Sequence, residues 1–202
     1  MGSEMCIRDR CMKIPSCIQV CCLDGRGIVP ELADWLRDVP DAWYVTKLPG
    51  VPAKPAKDWW LNGHARNLIA AHFLAESERG YLLLMDDDQA PNEKCEETIR
   101  CEAPVVGARY WSRWGGHAHG TGAGVVGCGF LKVSREVLAK LGPNPFTPGE
   151  KECECMAFGR RCRDAGFLPI HVGAVGHYCQ VVVMPYGEDG YLIRGPQRPK
   201  KE

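Results

Sequence analysis

The chain has 202 residues, with 25 basic and 25 acidic side chains, no formal net charge and 45% apolar residues. Such a length and composition suit one soluble globular domain with a full core. The charge balance excludes a protein that coats the phosphates of DNA or RNA, so no nucleic-acid partner is expected. No stretch is long enough for a transmembrane segment. The twelve cysteines follow no secretory leader and read as mostly reduced, buried small side chains, which makes a cytoplasmic location the expectation.

Residues 1–11 share no pattern with the rest of the chain and resemble translated sequencing-adapter sequence. Met12 reads as the natural start, giving one domain over residues 12–185 and a polar C-terminal tail over 186–202. Ile18 to Leu23 is a continuous apolar run, the mark of a strand buried on both faces. Pro30 to Arg37 predicts a short helix with Leu32, Ala33 and Leu36 on its buried side. Ala42 to Leu48 is a second strand, and Pro49 to Lys57 a loop. A longer helix is predicted from Gly63 to Arg79, with Ala65, Leu68, Ile69 and Phe73 as its apolar stripe and Gly80 as a left-handed stop. Tyr81 to Met85 is another fully apolar strand, and it ends in three aspartates. Asn92 is expected to cap the next helix, with Glu93 at its positive end. Pro104 to Tyr110 is strand-like, and Trp114 to Gly124 is a Gly/His loop without periodicity. Val125 to Val133 predicts a strand, and Ser134 a cap for a helix to Leu141, stopped by Gly142. Cys155, Phe158, Cys162 and Ala165 recur at helical steps between Glu154 and Gly166. Phe167 to Val172 and Val181 to Met184 complete the strands. Strands alternating with helices predict an α/β domain whose mostly parallel sheet is flanked by helices.

Ligands of open α/β sheets bind beyond the carboxyl ends of the strands, where Asp86, Asp87 and Asp88 stand. Adjacent carboxylates repel one another unless a cation or donor compensates them. Mg²⁺ and Mn²⁺ take oxygen ligands of this kind, together with substrate phosphates. The alternative is a turn with one helix-capping aspartate, which accounts for a single acid.

Tyr81 to Pro91, YLLLMDDDQAP, resembles the strand and DxD motif of GT-A glycosyltransferases, in particular the inverting family-2-like group. His64-Ala65-Arg66-Asn67 is similar to the Ala-Arg-Asn helix start that precedes the motif. Val126 to Leu141 resembles the glycine-containing strand that feeds the next helix, and Glu154 to Phe167 resembles the Glu-Asp-x-x-Phe helix ending in Ala-Gly-Phe. Gly176-His177 matches a C-terminal histidine of the metal site. The resemblance covers most of Met12 to Met184. It implies a single-domain GT-A-like, Rossmann-like fold and a metal-dependent, inverting transfer from a nucleotide-sugar donor. It implies that Asp86, Asp88 and His177 hold Mn²⁺ or Mg²⁺, and that Asp86, Asp87, Arg66 and Asn67 approach the nucleotide or support the aspartates. Solvated-helix and core-histidine roles stay open for Arg66 and His177. The family's base aspartate is replaced here by Cys155, so Glu154 becomes the catalytic base candidate, with Glu152 behind it. The alternative makes Glu150, Glu152 and Glu154 solvated acids at a helix start. The acceptor is unknown (glycan, lipid or protein); Trp111 to Gly124 is the expected acceptor side, and an oligomer or partner subunit could complete it.

Two rivals compete with this reading. Gly122 to Gly127 fits the G-x-G-x-x-G of a dinucleotide-binding oxidoreductase, which requires a helix immediately after the glycines. Cys153, Cys155 and Cys162 with His171 or His177, and His117 with His119, carry ligand chemistry for a zinc-stabilised binding module.

Overall fold

The computed structural model describes residues 14–23, 28–39, 41–45, 58–111, 118–119 and 125–177. The expectations for residues 1–11, 46–57, 112–117, 120–124 and 178–202, including the strand Val181 to Met184 and the tail, lie outside the described residues.

Strand β1 (Ile18–Leu23) leads to helix α1 (Pro30–Arg37), the short β2 (Trp43–Val45) and α2 (Asp58–Glu76). There follow β3 (Tyr81–Asp86), β4 (Gln89–Ala90), α3 (Cys95–Arg100), β5 (Val105–Trp111) and β6 (Ala118–His119). The chain continues through β7 (Phe130–Ser134), α4 (Arg135–Leu141), α5 (Glu154–Asp164), β8 (Ile170–Ala174) and β9 (Gly176–His177). The main sheet runs β2-β1-β3-β7-β5-β6, with β8 also on β5; β4 and β9 form a separate pair. β1, β2, β3, β5 and β8 point one way, so the sheet is mostly parallel, but β7 runs antiparallel between β3 and β5.

Both faces of this sheet are covered, as the unbroken apolar strands require. Leu82 and Leu84 of β3 pack with Phe73, Val137, Phe146 and Phe158 under α2, α4 and α5. Leu83 and Met85 face the other way, with Leu32, Leu36 and Ile99 under α1 and α3. The cysteines follow the same alternation: Cys21 belongs to the first layer and Cys22 to the second. Burial pushes the Cys21 thiol up to about 12, so it behaves as a small apolar filler. All nine described cysteines are unbridged, and Cys17 is the exposed one among them. Among the described residues no helix is long and apolar enough to cross a membrane.

Several local expectations are corrected. Leu68 is 43% exposed, because the buried face of α2 runs through Arg66, Ile69, Ala70 and Phe73 instead. Ala33 is likewise exposed, leaving Leu32 and Leu36 to bury α1. Helix α2 begins five residues before Gly63 and ends at Glu76 rather than Arg79. Gly80 is not its stop. The Arg135 guanidinium donates to the carbonyls of Leu74 at 3.1 Å, Phe73 at 3.0 Å and Arg79 at 3.1 Å, and to that of Ser77. A distant arginine thus satisfies the carbonyls that a C-terminal glycine would otherwise serve. Asn92 does not cap α3; its Oδ1 accepts from the Lys94 amide at 2.9 Å, in a turn before the helix, whose N-cap is Lys94. Val125 to Gly129 is not strand; β7 starts at Phe130. No helix comes directly after the glycines there, which removes the dinucleotide fingerprint. The Gly/His segment contains a strand, β6, paired through Tyr110↔His119.

Ser134 and Gly142 act as expected. Ser134 Oγ accepts from the Val137 amide at 3.3 Å, and Gly142 sits at φ 71°. Ser134→Ala is expected to cost about 1 kcal/mol of stability, read from the midpoint of urea unfolding. A change within experimental error would mean that α4 is held by packing alone.

Candidate active site

The acidic centre lies at the carboxyl end of β3. Asp86 is the last residue of the strand, paired with Leu23 of β1, and its amide donates to the Gly129 carbonyl at 2.9 Å. The chain then turns through Asp87 and Asp88 into β4. The Asp87 carbonyl accepts from the Val29 amide at 3.0 Å, which ties the turn to the start of α1.

Arg66 is the hub. It is 1% exposed, and it donates through Nη2 to Asp86 Oδ1 at 2.6 Å and through Nη1 to Glu154 Oε1 at 2.9 Å. Helix α2 supplies the arginine, β3 one acid and the first residue of α5 the other, so three elements meet on one planar cation. Burial opposes the charge on Arg66, but Asp86 and Glu154 more than compensate and hold its pKa well above the ordinary value. Arg66 is therefore not a solvated helix residue. Glu154 is buried, not a solvated acid, and Oε1 takes both of its hydrogen bonds, from Arg66 and from the Cys155 thiol at 3.7 Å. Glu152 instead lies outside this cluster, paired with Arg160 at 2.5 Å. Asn67 faces elsewhere: its Oδ1 accepts from the Phe146 amide at 2.7 Å, and its Nδ2 donates to Thr147 Oγ1 at 3.1 Å. Both ends of that amide hold the segment between α4 and α5.

His177 reaches the centre from the far end of the described chain. β9 pairs with β4 in the register Gln89↔His177 and Ala90↔Gly176. A Cβ on Gly176 would lie 3.0 Å from that of Ala90, so the missing side chain is what lets the strands close. His177 Nε2 then stands 3.4 Å from Asp88 Oδ1, and its ring lies 5.2 Å from that of Tyr110. Asp86, Asp88 and His177 do not all converge on one point. Among the described residues, the three ligand atoms that lie within 4.8 Å of one another belong to Cys153, Glu154 and Cys155. Asp88 and His177 form the pair, while Asp86 is turned to Arg66.

Cys155 is a packed thiol. It sits in the core cluster, and its Sγ accepts from the Cys128 amide at 3.3 Å. Sulfur contact with Cys128 and burial raise its pKa well above the ordinary thiol value. Cys162 packs in the same core, away from any ligand set.

Burial pushes the Asp86 carboxyl up to about 6, with Arg66 pulling it down and Asp88, Glu154 and Asp87 adding to the rise. The folded protein therefore holds this proton more tightly than the unfolded chain, whose carboxyl titrates near 3.8. By linkage, the Asp86 contribution to stability falls as pH rises from about 4 through about 6. Melting temperatures of wild type and Asp86→Asn across that window should differ in slope, with the variant flatter. Parallel curves would rule the shift out.

Three residues of the centre carry no signal of their own in the sequence. Gln89 is fully buried directly after the acid run, the Tyr110 hydroxyl accepts from the Gly129 amide at 3.0 Å, and the α-carbon of Gly129 faces Asp86. Their adjacency depends on β5, β4 and the 125–129 segment meeting in space.

No protein-family model matches the chain, and no curated protein matches it. The crystal structure of A197 from STIV is similar at a TM-score of 0.56 and 18% identity, over 80% of this chain and 86% of that one. A glycosyltransferase involved in glycosylation of the major capsid of PBCV-1 aligns at 0.38 and 12% identity, over 60% and 62%. Glucosyl-3-phosphoglycerate synthase from Mycobacterium tuberculosis, in complex with Mn²⁺, UDP and phosphoglyceric acid, aligns at 0.43 and 14%, over 82% and 72%. Likenesses as loose as the last two bear on neither fold nor activity. The chain has a GT-A-like α/β fold: a mostly parallel sheet flanked by helices, with its acidic centre at the carboxyl end of β3.

Proposed function

We propose that the protein is a glycosyltransferase that moves a sugar from a nucleoside-diphosphate donor to an acceptor with the help of Mn²⁺ or Mg²⁺. The observation that carries this reading is the pairing of Asp88 with His177 beside an Asp86 clamped by buried Arg66. A carboxylate oxygen and an imidazole nitrogen 3.4 Å apart can both reach one ion. The mixed donor set suits Mn²⁺ better than Mg²⁺. Asp88 and His177 would hold the cation, with Asp86 and Asp87 near it and donor phosphates filling the remaining positions. When bound, the ion neutralises the charge that builds on the departing nucleoside diphosphate.

The other roles belong to the chain's own side chains. Arg66 fixes the direction of Asp86, and Asn67 holds residues 146–147 in place. Glu154, whose Oε1 is engaged by Arg66, is assigned through Oε2 to the acceptor hydroxyl proton, as an inverting transfer requires. Thermal-shift titration with nucleotide sugars and Mn²⁺, on wild type and Asp88→Ala, tests the reading. Stabilisation of wild type alone supports it; no response, or an equal response, sinks it.

A thiol-held zinc in a binding module is the second reading, favoured by the close Cys153, Glu154 and Cys155 trio. The Glu154 ion pair with Arg66 and the raised thiol pKa values of Cys153 and Cys155 oppose it. Stoichiometric zinc in purified protein would favour it.

A further inference from the structure

The β4–β9 register fixes where the His177 backbone stands, but not where its ring turns. An imidazole on a fixed backbone still rotates about χ1 and χ2, and only some rotamers aim Nε2 at Asp88. In the structure Nε2 stands 3.4 Å from Asp88 Oδ1. A ligand side chain holds one such rotamer when packing beside it selects it. The neighbour of the His177 ring is Tyr110, whose centroid lies 5.2 Å away at an interplanar angle of 54°. Tilted rings at this separation attract one another.

Tyr110 is itself firmly held. It is 8% exposed and packs in the core layer of Phe130 and Val175. Its hydroxyl accepts from the Gly129 amide at 3.0 Å. A Cβ built on Gly127 would lie 2.7 Å from that hydroxyl and 2.9 Å from Cε1, and one on Gly129 would lie 2.9 Å from the hydroxyl. The tyrosine ring thus fills the side-chain space of both glycines. The strand that carries it also holds the approach to β9, since the Arg109 carbonyl accepts from the Val175 amide at 3.0 Å. β5 therefore anchors this segment twice, by backbone just before β9 and by a ring against the imidazole.

We propose that Tyr110 is a positioning residue that turns His177 Nε2 toward the cation shared with Asp88, and so sets the preference for Mn²⁺ over Mg²⁺. The inference rests on the glycosyltransferase reading, to which the cation belongs. Without the ring the imidazole samples other rotamers, and the oxygen ligands that remain favour Mn²⁺ less.

Calorimetric titration of Mn²⁺ and of Mg²⁺, each in the presence of UDP, GDP, ADP or CDP, tests this. The proteins are wild type, Tyr110→Phe, Tyr110→Leu, His177→Ala and the double variant Tyr110→Leu with His177→Ala. Tyr110→Leu should narrow the Mn²⁺ over Mg²⁺ affinity ratio roughly three- to ten-fold, the worth of one aromatic pair. Tyr110→Phe keeps the ring but loses the bond to the Gly129 amide, so it should melt below wild type and still retain the wild-type ratio. The double variant should match His177→Ala alone, because Tyr110 acts only through the imidazole. Should Tyr110→Leu not fold, Tyr110→Met fills more of the ring's space and carries the same expectations. A wild-type ratio in Tyr110→Leu beside a narrowed one in His177→Ala overturns the positioning role and leaves the glycosyltransferase reading standing. So does a further narrowing in the double variant, or a Tyr110→Phe ratio as narrow as that of Tyr110→Leu. An unchanged ratio in His177→Ala, or no ion binding by wild type, overturns the cation assignment and the positioning role with it.

Discussion

Arg66→Met is expected to destabilise the protein by about 3–5 kcal/mol, the typical cost of breaking a buried ion pair from one side. The arginine is 1% exposed and is the cation that joins Asp86 and Glu154. Without it two carboxylates face each other in a site with little water, and one must take up a proton for the fold to persist. The loss should therefore be larger at pH 8 than at pH 5, because burial already holds Asp86 up at about 6 with Arg66 present. Arg66→Lys should recover little, since one ammonium cannot present the two fixed donors that Nη1 and Nη2 offer. Adding Glu154→Gln to Arg66→Met should restore part of the stability by removing a charge. Urea unfolding at the two pH values measures all four proteins. A loss below about 1 kcal/mol, typical of a solvent-exposed pair, would mean that the clamp is open to water.

Asp88→Ala has the opposite profile. It removes one of three adjacent carboxylates and should leave the stability of the ligand-free protein within about 1 kcal/mol of wild type. Mn²⁺-dependent nucleotide binding, by contrast, should weaken about 100-fold or more. Loss of even an outer-shell partner of a metal ligand typically costs about 10- to 100-fold. His177→Ala should weaken binding less and narrow the preference for Mn²⁺ over Mg²⁺, since it deletes the nitrogen ligand and spares the oxygens. Calorimetric titration of the two ions in the presence of a nucleoside diphosphate distinguishes the cases. If both variants bind as wild type does, the cation lies elsewhere, and the Cys153–Glu154–Cys155 trio becomes the place to look.

The local elements were legible because their patterns are local. Five consecutive apolar residues between Gly80 and Asp86, too few for a buried helix, read as a strand covered on both faces, and Leu82 to Met85 alternate between the two core layers accordingly. Ser134 and Gly142 bracket α4 through bonds and dihedrals within their own neighbourhood. The direction of β7 was not legible in this way. A parallel neighbour needs a crossover, usually a helix, and none lies among the described residues between β5 and β7, so the chain returns antiparallel. The end of α2 is hidden from the sequence for a related reason: it is served by the guanidinium of Arg135, from another helix, rather than by a glycine nearby.

The same division runs through the site. That three carboxylates stand at the end of the most apolar strand can be read along the chain, because strand and acids are contiguous. How the three differ depends on the partners that the folded chain brings to each. Asp86 turns to an arginine from α2, Asp88 meets a histidine carried in by β9, and a buried glutamine is left facing a bare glycine. These contacts join residues far apart in the chain through side chains a few ångströms long. Their geometry depends on sheet register and close backbone approach, which no periodicity along the chain encodes.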